Sequence, residues 1–162
     1  MAHTWRAGLL LAGLLSALAL DGCGTSVATR ETRYAGRLQS AQQRFTAGVT
    51  DVMAATSPGI ARAATVSAVG RYESTLAQVE QSLRTTRAPA TVSPLHRRLL
   101  ATIDRYGAEV RRMIVALREP PGAGLAASEA RFRNATTLTS ASVQAAFRHI
   151  ATLLARQRGA MP

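Results

Sequence analysis

The fold is decided by residues 93–122, which read SPLHRRLLATIDRYGAEVRRMIVALREPPG. Seven apolar residues in this stretch are separated by 4, 4, 3, 4, 3 and 4 positions: Leu95, Leu99, Ile103, Tyr106, Val110, Met113 and Leu117. Because an α-helix has about 3.6 residues per turn, this spacing places them on one stripe. Ser93-Pro94 suits a helix start, and the prolines of EPPG end it, since proline lacks an amide hydrogen. The stretch therefore predicts an amphipathic helix near residues 94–118.

Two helices of the same kind are predicted on the N-terminal side. The first lies near residues 32–56, and its apolar stripe is Tyr34, Leu38, Ala41, Phe45, Val49 and Val52. The second lies near residues 60–87, and its stripe is Val69, Tyr72, Leu76, Val79 and Leu83. Ser57-Pro58 between them predicts an N-cap and a first helical residue for the second helix. Ala88-Pro89 predicts its end, because the residue before proline is disfavoured in the α conformation.

A fourth helix is predicted near residues 123–157. Its apolar side consists of Leu125, Phe132, Leu138, Phe147, Ile150 and Leu154. Its middle, residues 134–140 (NATTLTS), is rich in side chains that compete for backbone hydrogen bonds or lose rotamer freedom in a helix. A kink or a break is predicted there.

Four amphipathic helices joined by short loops favour antiparallel neighbours. The predicted fold class is therefore all-α, an antiparallel up-down-up-down four-helix bundle over residues 32–162. An alignment of residues 66–83 with residues 100–117 also places Tyr72 and Tyr106 near the middle of the bundle.

The N-terminus has the organisation of an export signal. Arg6 is followed by the uncharged apolar run AGLLLAGLLSALAL at residues 7–20, and Leu20-Asp21-Gly22-Cys23 then holds the only cysteine of the chain. Fourteen helical residues span about 21 Å, less than the ~30 Å of a hydrocarbon core, so a signal peptide is favoured over a permanent span. Residues 1–22 are predicted to be a signal peptide, and residues 23–31 a modified cysteine and a short tether. A single cysteine also excludes an intrachain disulfide.

The signal, the tether, the basic residues that are all arginine, and the segment 88–99 (APATVSPLHRRL) together resemble small helical lipoproteins of high-GC, actinobacterial-type bacteria. Asp21 differs from that family, which has a small uncharged residue at this place. The resemblance implies that the Cys23 thiol carries a diacylglycerol with fatty chains such as palmitate, and that the peptide bond before it is cut. It implies a membrane-anchored protein on the extracytoplasmic face, and it provides no catalytic residue that can be carried over to this chain. Ordinary secretory cleavage nearby and a retained short anchor are the alternatives.

The chain is strongly basic. It has 20 arginines against nine carboxylates, a formal net charge of +11 that removal of residues 1–22 leaves unchanged. Such a charge attracts anionic surfaces over roughly 10 Å at ordinary salt. The doublets Arg97-Arg98 and Arg111-Arg112 are the candidate polyanion-binding residues, and solvated helix faces are the alternative. Nucleic acid is disfavoured as a partner, because no aromatic residues interleave the arginines to stack on bases.

Residues that could carry chemistry are few. His96 and His149 could approach each other in an antiparallel bundle, but their sequence neighbours are arginines, so solvated or capping histidines are predicted rather than a metal site. No Glu-x-x-His, phosphate-loop or nucleophile-elbow motif occurs. The sequence predicts a non-enzymatic envelope lipoprotein without cofactor that binds a protein, an anionic lipid or a glycan. The alternative is a binding protein for a small apolar ligand, which requires a cavity above roughly 300 Å³ between the helices.

Overall fold

A computed structural model of the chain describes residues 22–120 and 122–159, with side chains described from residue 27 onward except at residue 123. It contains four α-helices: α1 (Gly22–Ala55), α2 (Arg62–Arg84), α3 (Ser93–Arg118) and α4 (Ala123–Gly159). A short 3-10 helix, Ala90–Val92, leads into α3. The described residues include no strand, and the all-α prediction is confirmed. The predicted signal peptide, residues 1–22, lies outside the described residues except for Gly22.

The helices form a four-helix bundle. Each helix packs against its neighbours in sequence, and α4 also packs against α1, so the four close into a ring around one core. The diagonal helices α1 and α3 meet through side chains, where Tyr34 contacts His96. The start of α3 therefore lies level with the N-terminal half of α1, as the up-down-up-down order requires.

The core consists of the predicted stripes. All predicted stripe residues of α2 are buried, and those of α1 are buried except Val49, which is half-buried against the core. In α3 the buried series begins at His96 rather than at Leu95, which is half-buried. From His96 the spacing is 3, 4, 3, 4, 3 and 4 to Leu117, and this alternation stays closer to the 3.6-residue period than two successive steps of four.

Of the kink or break predicted in the middle of α4, the break is wrong. The helix is continuous from Ala123 to Gly159. The hydroxyls of Thr136 and Thr137 donate to the carbonyls of Phe132 and Arg133, four residues earlier, at 2.8 and 3.1 Å. These side chains satisfy their hydrogen-bonding groups within the helix, and burial of Thr136 in the core adds tertiary contacts that override a weak local propensity.

The prediction that Leu138 lies on the apolar side of α4 is also wrong, since 65% of its surface is exposed. Leu138 lies six residues after Phe132, about 600° around the helix and so well off the stripe. The buried positions of α4 are instead Phe132, Thr136, Val143, Phe147, Ile150 and Leu154.

The tether predicted over residues 23–31 is helical. The backbone of α1 begins at Gly22, about ten residues earlier than predicted. The segment contains no proline, and Ala28, Arg30 and Glu31 are good helix formers, so nothing in it ends a helix that continues into the packed part of α1. Cys23 therefore lies in the first turn of α1.

Two of the predicted helix starts are also displaced. Ser57-Pro58 lies in the turn after α1, where the Ser57 hydroxyl donates to the Met53 carbonyl at 3.1 Å, and Gly59 completes the turn with a φ of +88°. The helix α2 then begins at Arg62 without a side-chain cap. Ser93 is the first residue of α3 rather than its cap, although Pro94 does lie in the first turn. Both connections remain short, which preserves the antiparallel order.

Candidate functional site

The N-terminal half of α1, the connection between α2 and α3, and the C-terminal half of α4 lie at the same end of the bundle. A guanidinium nitrogen of Arg37 donates to the Thr86 hydroxyl at 3.3 Å, and the Thr91 hydroxyl donates to the side-chain oxygen of Gln157 at 3.0 Å. We call this the proximal end and define it as residues 22–40, 75–103 and 141–159. The distal end comprises residues 41–74 and 104–140.

Charge is divided unequally between the two ends. The proximal end holds two carboxylates, Glu31 and Glu80, and ten arginines: Arg30, Arg33, Arg37, Arg84, Arg87, Arg97, Arg98, Arg148, Arg156 and Arg158. The distal end holds six carboxylates, Asp51, Glu73, Asp104, Glu109, Glu119 and Glu129, and nine arginines: Arg44, Arg62, Arg71, Arg105, Arg111, Arg112, Arg118, Arg131 and Arg133. The excess positive charge is therefore concentrated at the proximal end.

Several distal arginines have structural partners. Arg62 donates to the carbonyl of Leu117 at 2.6 Å and to that of Glu119, at the C-terminal end of α3. Arg133 donates to the carbonyl of Thr56 at 2.8 Å, just past the C-terminal end of α1. Both arginines satisfy carbonyls that lack a partner within their helix and place a positive charge at the negative end of a helix dipole. These guanidinium groups serve the fold.

A cleft of about 470 Å³ opens at the proximal end. Arg30, Arg33 and Arg37, spaced three and four residues apart, lie along one side of α1 and form its first wall. Arg87 belongs to the second wall, which the connection between α2 and α3 provides. Glu31 is the one carboxylate of the described lining. Because guanidinium groups line both walls, the cleft has the chemistry of an anion site.

Small apolar residues complete the lining. Ala88, Pro89 and Ala90 follow Arg87 along the second wall, and Val27, 47% exposed, lies on the α1 wall one turn before Arg30. The cleft is therefore amphipathic, with guanidinium groups beside apolar side chains. An anion that also carries an apolar part fits this combination.

A buried polar pair lies beneath the cleft. The Tyr34 hydroxyl and Nδ1 of His96 are 3.1 Å apart, and both side chains are buried. Burial raises the pKa of Tyr34 to about 12 and lowers the pKa of His96, although a hydrogen bond to the Leu83 backbone partly opposes the latter shift. A phenol that stays protonated is a poor nucleophile, which argues against a catalytic role for Tyr34. The hydrogen bond instead joins α1 to α3 and so holds the floor of the cleft in place.

The prediction of solvated or capping histidines is wrong for His96, which packs in the core, while His149 is exposed. The reason is that position 96 continues the buried stripe of α3. Tyr34 provides a hydrogen-bond partner there for the neutral imidazole, so no charge has to be buried. Among residues 22–120 and 122–159, no three His, Cys, Asp or Glu side chains come together as metal ligands.

A second buried polar group lies mid-bundle, where the sequence placed two tyrosines. The rings of Tyr72 and Tyr106 meet edge to face with centroids 5.9 Å apart, and the Tyr106 hydroxyl lies 2.7 Å from that of Thr136. Thr136 donates to the Phe132 carbonyl, so Tyr106 must donate to Thr136. Burial raises the pKa of both tyrosines. All three side chains are buried, so this group belongs to the packing of the core.

The four arginines named from the sequence are all exposed, but they do not form one surface. Arg98 and Arg112 border grooves between α3 and α4, whereas Arg97 and Arg111 are each one residue earlier, about 100° around the helix. Arg97 and Arg98 lie at the proximal end, outside the described cleft lining, and Arg111 and Arg112 lie at the distal end.

The arginines of the cleft do not appear among the sequence-predicted site residues, because that prediction rested on arginines adjacent or two positions apart in the chain. The available signal was the spacing of Arg30, Arg33 and Arg37, which places three guanidinium groups on one side of a helix. Arg87 comes from a segment 50 residues further along the chain, and only the bundle topology brings it to the same cleft.

Within the part of the chain that the structure describes, no helix has both the length and the hydropathy to cross a membrane. Comparison of the chain with protein-family models, with curated proteins and with solved structures finds no significant match.

Proposed function

We propose that the chain is an exported bacterial lipoprotein, anchored through acylated Cys23 on the extracytoplasmic face of the membrane, whose bundle is a non-enzymatic module for binding anionic envelope components. The signal-like residues 1–22 and the position of Cys23 support the anchoring. The absence of a sequence motif for catalysis supports a binding role.

The observation that carries the proposal is the concentration of arginine at the proximal end, ten residues against two carboxylates. Cys23 lies in the first turn of the helix that leads into this end, so an anchor on Cys23 would hold the arginines near the lipid headgroups. Each basic residue near an anionic membrane surface contributes about 1 kcal/mol of attraction, which decays over the Debye length of roughly 10 Å. Arg97 and Arg98 contribute to this surface, whereas Arg111 and Arg112 lie at the far end.

The test is sedimentation of fragment 24–162 with lipid vesicles, after circular dichroism has established that the fragment is helical. We expect binding to vesicles with a third of anionic phospholipid, loss of that binding as salt rises from 50 to 500 mM, and none to zwitterionic vesicles. Arg97→Gln with Arg98→Gln should weaken binding more than Arg111→Gln with Arg112→Gln. A folded fragment that ignores anionic vesicles at low salt would overturn the proposal and favour a protein partner.

One observation also bears on an apolar ligand. The proximal cleft exceeds the roughly 300 Å³ that such a ligand requires. Four of its lining side chains are arginines, however, and the buried core beside it is packed with side chains such as Val52, Val69 and Ile103, all 0% exposed. A groove of about 430 Å³ between α3 and α4 also exceeds this volume, and two arginines, Arg98 and Arg105, lie in its lining. The cleft therefore fits an amphipathic anion better than an uncharged apolar molecule. Saturable binding of a neutral naphthylamine dye, unaffected by anionic lipid, would favour the apolar ligand.

A further inference from the structure

The proximal cleft differs from a diffuse basic surface in having two walls. Arg33 and Arg37 project from α1, and Arg87 lines the opposing wall about 50 residues further along the chain. Arg37 is also fixed by its hydrogen bond to the Thr86 hydroxyl, the residue next to Arg87. Guanidinium groups on two walls can bond oxygens on opposite sides of one tetrahedral anion, whereas a single arginine bonds at most two oxygens from one side, in its bidentate geometry.

The floor of the cleft is fixed by the core. Tyr34 lines the cleft and is tied across the bundle to His96 at 3.1 Å, and Thr86 is buried with its hydroxyl 2.6 Å from the Ser82 carbonyl. A fixed floor holds the backbone of the two walls in place, and the hydrogen bond to Thr86 orients Arg37 toward the second wall. Such preorganisation favours a defined site over loose attraction.

The apolar side chains of the lining indicate which kind of anion fits the cleft. Val27 is 47% exposed on the α1 wall, and Ala88 and Pro89 lie on the other. A free inorganic anion gains nothing from these side chains. A phosphate ester attached to a glycerol backbone and acyl chains would cover them.

The helical start of α1 sets the height of the cleft above the membrane. Cys23 and Arg30 are seven residues apart on a continuous helix, which at about 1.5 Å per residue is roughly 10 Å. With a flexible tether over residues 23–31, the distance between Cys23 and the cleft would not be fixed. With Cys23 acylated in the outer leaflet, the helix would keep the cleft within reach of the headgroups.

We propose that the proximal cleft binds the headgroup phosphate of an anionic glycerophospholipid between Arg33 and Arg37 on one wall and Arg87 on the other. This inference rests on the proposed function, because it requires the anchor to bring the cleft to the membrane.

Glu31 opposes the binding of an anion. It is the carboxylate of the described lining, and its Oε2 is buried without a hydrogen-bond partner. Four arginines against one carboxylate leave the cleft positive. The site accordingly predicts that Glu31→Gln tightens binding, an effect opposite in sign to that of the arginine substitutions.

The experiment uses the full-length chain, produced in a bacterium that acylates lipoproteins and purified in a neutral detergent. The micelles are doped with dihexanoyl phosphatidylglycerol, with dihexanoyl phosphatidylcholine, or with inorganic phosphate alone, and the arginine side-chain N–H resonances are followed by NMR. We expect saturable shifts with phosphatidylglycerol. Arg33→Gln with Arg87→Gln should weaken this binding about tenfold or more, as expected for loss of charge-assisted hydrogen bonds.

The matched control is Arg44→Gln with Arg71→Gln, which removes the same charge from exposed positions outside the described lining. We expect this control to change the affinity less than twofold, and Glu31→Gln to raise it. If both pairs weaken binding equally, attraction is diffuse and the cleft site is overturned while the proposed function stands. If inorganic phosphate binds as tightly as the lipid, the lipid assignment is overturned. If no anion binds, both proposals fail.

Discussion

Tyr34 and His96 meet across the diagonal of the bundle, with the phenol oxygen 3.1 Å from Nδ1 of the imidazole. The ring centroids are 5.7 Å apart, and both residues are buried beneath the proximal cleft. Burial favours the neutral imidazole, and in the neutral tautomer with its proton on Nε2 the Tyr34 hydroxyl donates to Nδ1. This contact joins α1 to α3 and couples the floor of the cleft to the protonation of one buried histidine.

The first prediction is that stability falls in mild acid. The pKa of His96 is lowered in the folded chain, so the unfolded chain binds the proton first as the pH falls through about 6.5. The contribution of the neutral histidine is complete above that pH and declines below it, by at most about 1.4 kcal/mol per pH unit for one proton. Urea unfolding at pH 7.5 and 5.5 measures the decline.

The matched control is His149, which is exposed on α4. His96→Gln should flatten the pH dependence between 7.5 and 5.5, whereas His149→Gln should leave it in place. An identical pH profile for both variants would show that the buried pair does not titrate in this range.

The second prediction concerns the stripe of α3. Leu99 and Ile103 are 1% and 0% exposed, so Leu99→Ala or Ile103→Ala should lower the free energy of unfolding by about 2–5 kcal/mol through lost burial and a residual cavity. Arg111→Gln and Arg112→Gln should each change it by less than about 0.5 kcal/mol, because both side chains are exposed and the Arg112–Glu109 ion pair is at the surface. Chemical denaturation of the four variants provides the comparison.

The stripes were predictable because burial in a helical bundle follows a period that a single sequence displays. The break in α4 was mispredicted for the opposite reason, since helix propensity at residues 134–140 is a local property and packing overrode it. Thr136 shows how: its hydroxyl bonds within α4 and to Tyr106 at the same time, so a residue unfavourable for an isolated helix fits the core of this one. The tether at residues 23–31 is helical because nothing in this segment ends the helix that continues into the packed part of α1.

The cleft is less predictable from the sequence than the apolar stripes are. Arg33 and Arg87 are distant in sequence and are brought to one site by the antiparallel order of the helices. The total charge was evident from composition, but its concentration at one end depends on which helix ends lie together. The burial of His96 depended on a partner, Tyr34, that lies 62 residues earlier.

The third prediction concerns the polar group in the middle of the bundle. Thr136→Val keeps the shape of the side chain but leaves the Tyr106 hydroxyl buried without an acceptor, and should lower the free energy of unfolding by about 1–3 kcal/mol. Thr137→Val removes an equivalent hydroxyl at an exposed neighbouring position and should change it by less than about 0.5 kcal/mol. Equal effects of the two substitutions in thermal or urea unfolding would contradict a stabilising role for the Tyr106 contact.

A fourth prediction separates structural from solvated arginines. Arg133→Gln removes the 2.8 Å hydrogen bond to the Thr56 carbonyl and a charge at the C-terminal end of α1, so it should lower the free energy of unfolding by about 1 kcal/mol. Arg131→Gln removes the same charge from an exposed side chain two residues earlier in α4, and it should have almost no effect on the free energy of unfolding. Denaturation at 0.5 M salt, which screens the dipole interaction but not the hydrogen bond, should preserve most of the difference.

The last prediction concerns the anchor. Cys23 follows an apolar run of signal length, so the thiol should carry a diacylglycerol and hold the protein in the membrane fraction. Metabolic labelling with an alkyne fatty acid should tag the wild-type chain, and Cys23→Ser should abolish the tag. Asp21→Ala, which places before Gly22-Cys23 the small uncharged residue that is usual in the bacterial lipoproteins the signal resembles, should keep the tag or increase it. Equal labelling of the wild type and Cys23→Ser would exclude this cysteine as the lipidation site, and with it the membrane-facing orientation of the proximal end.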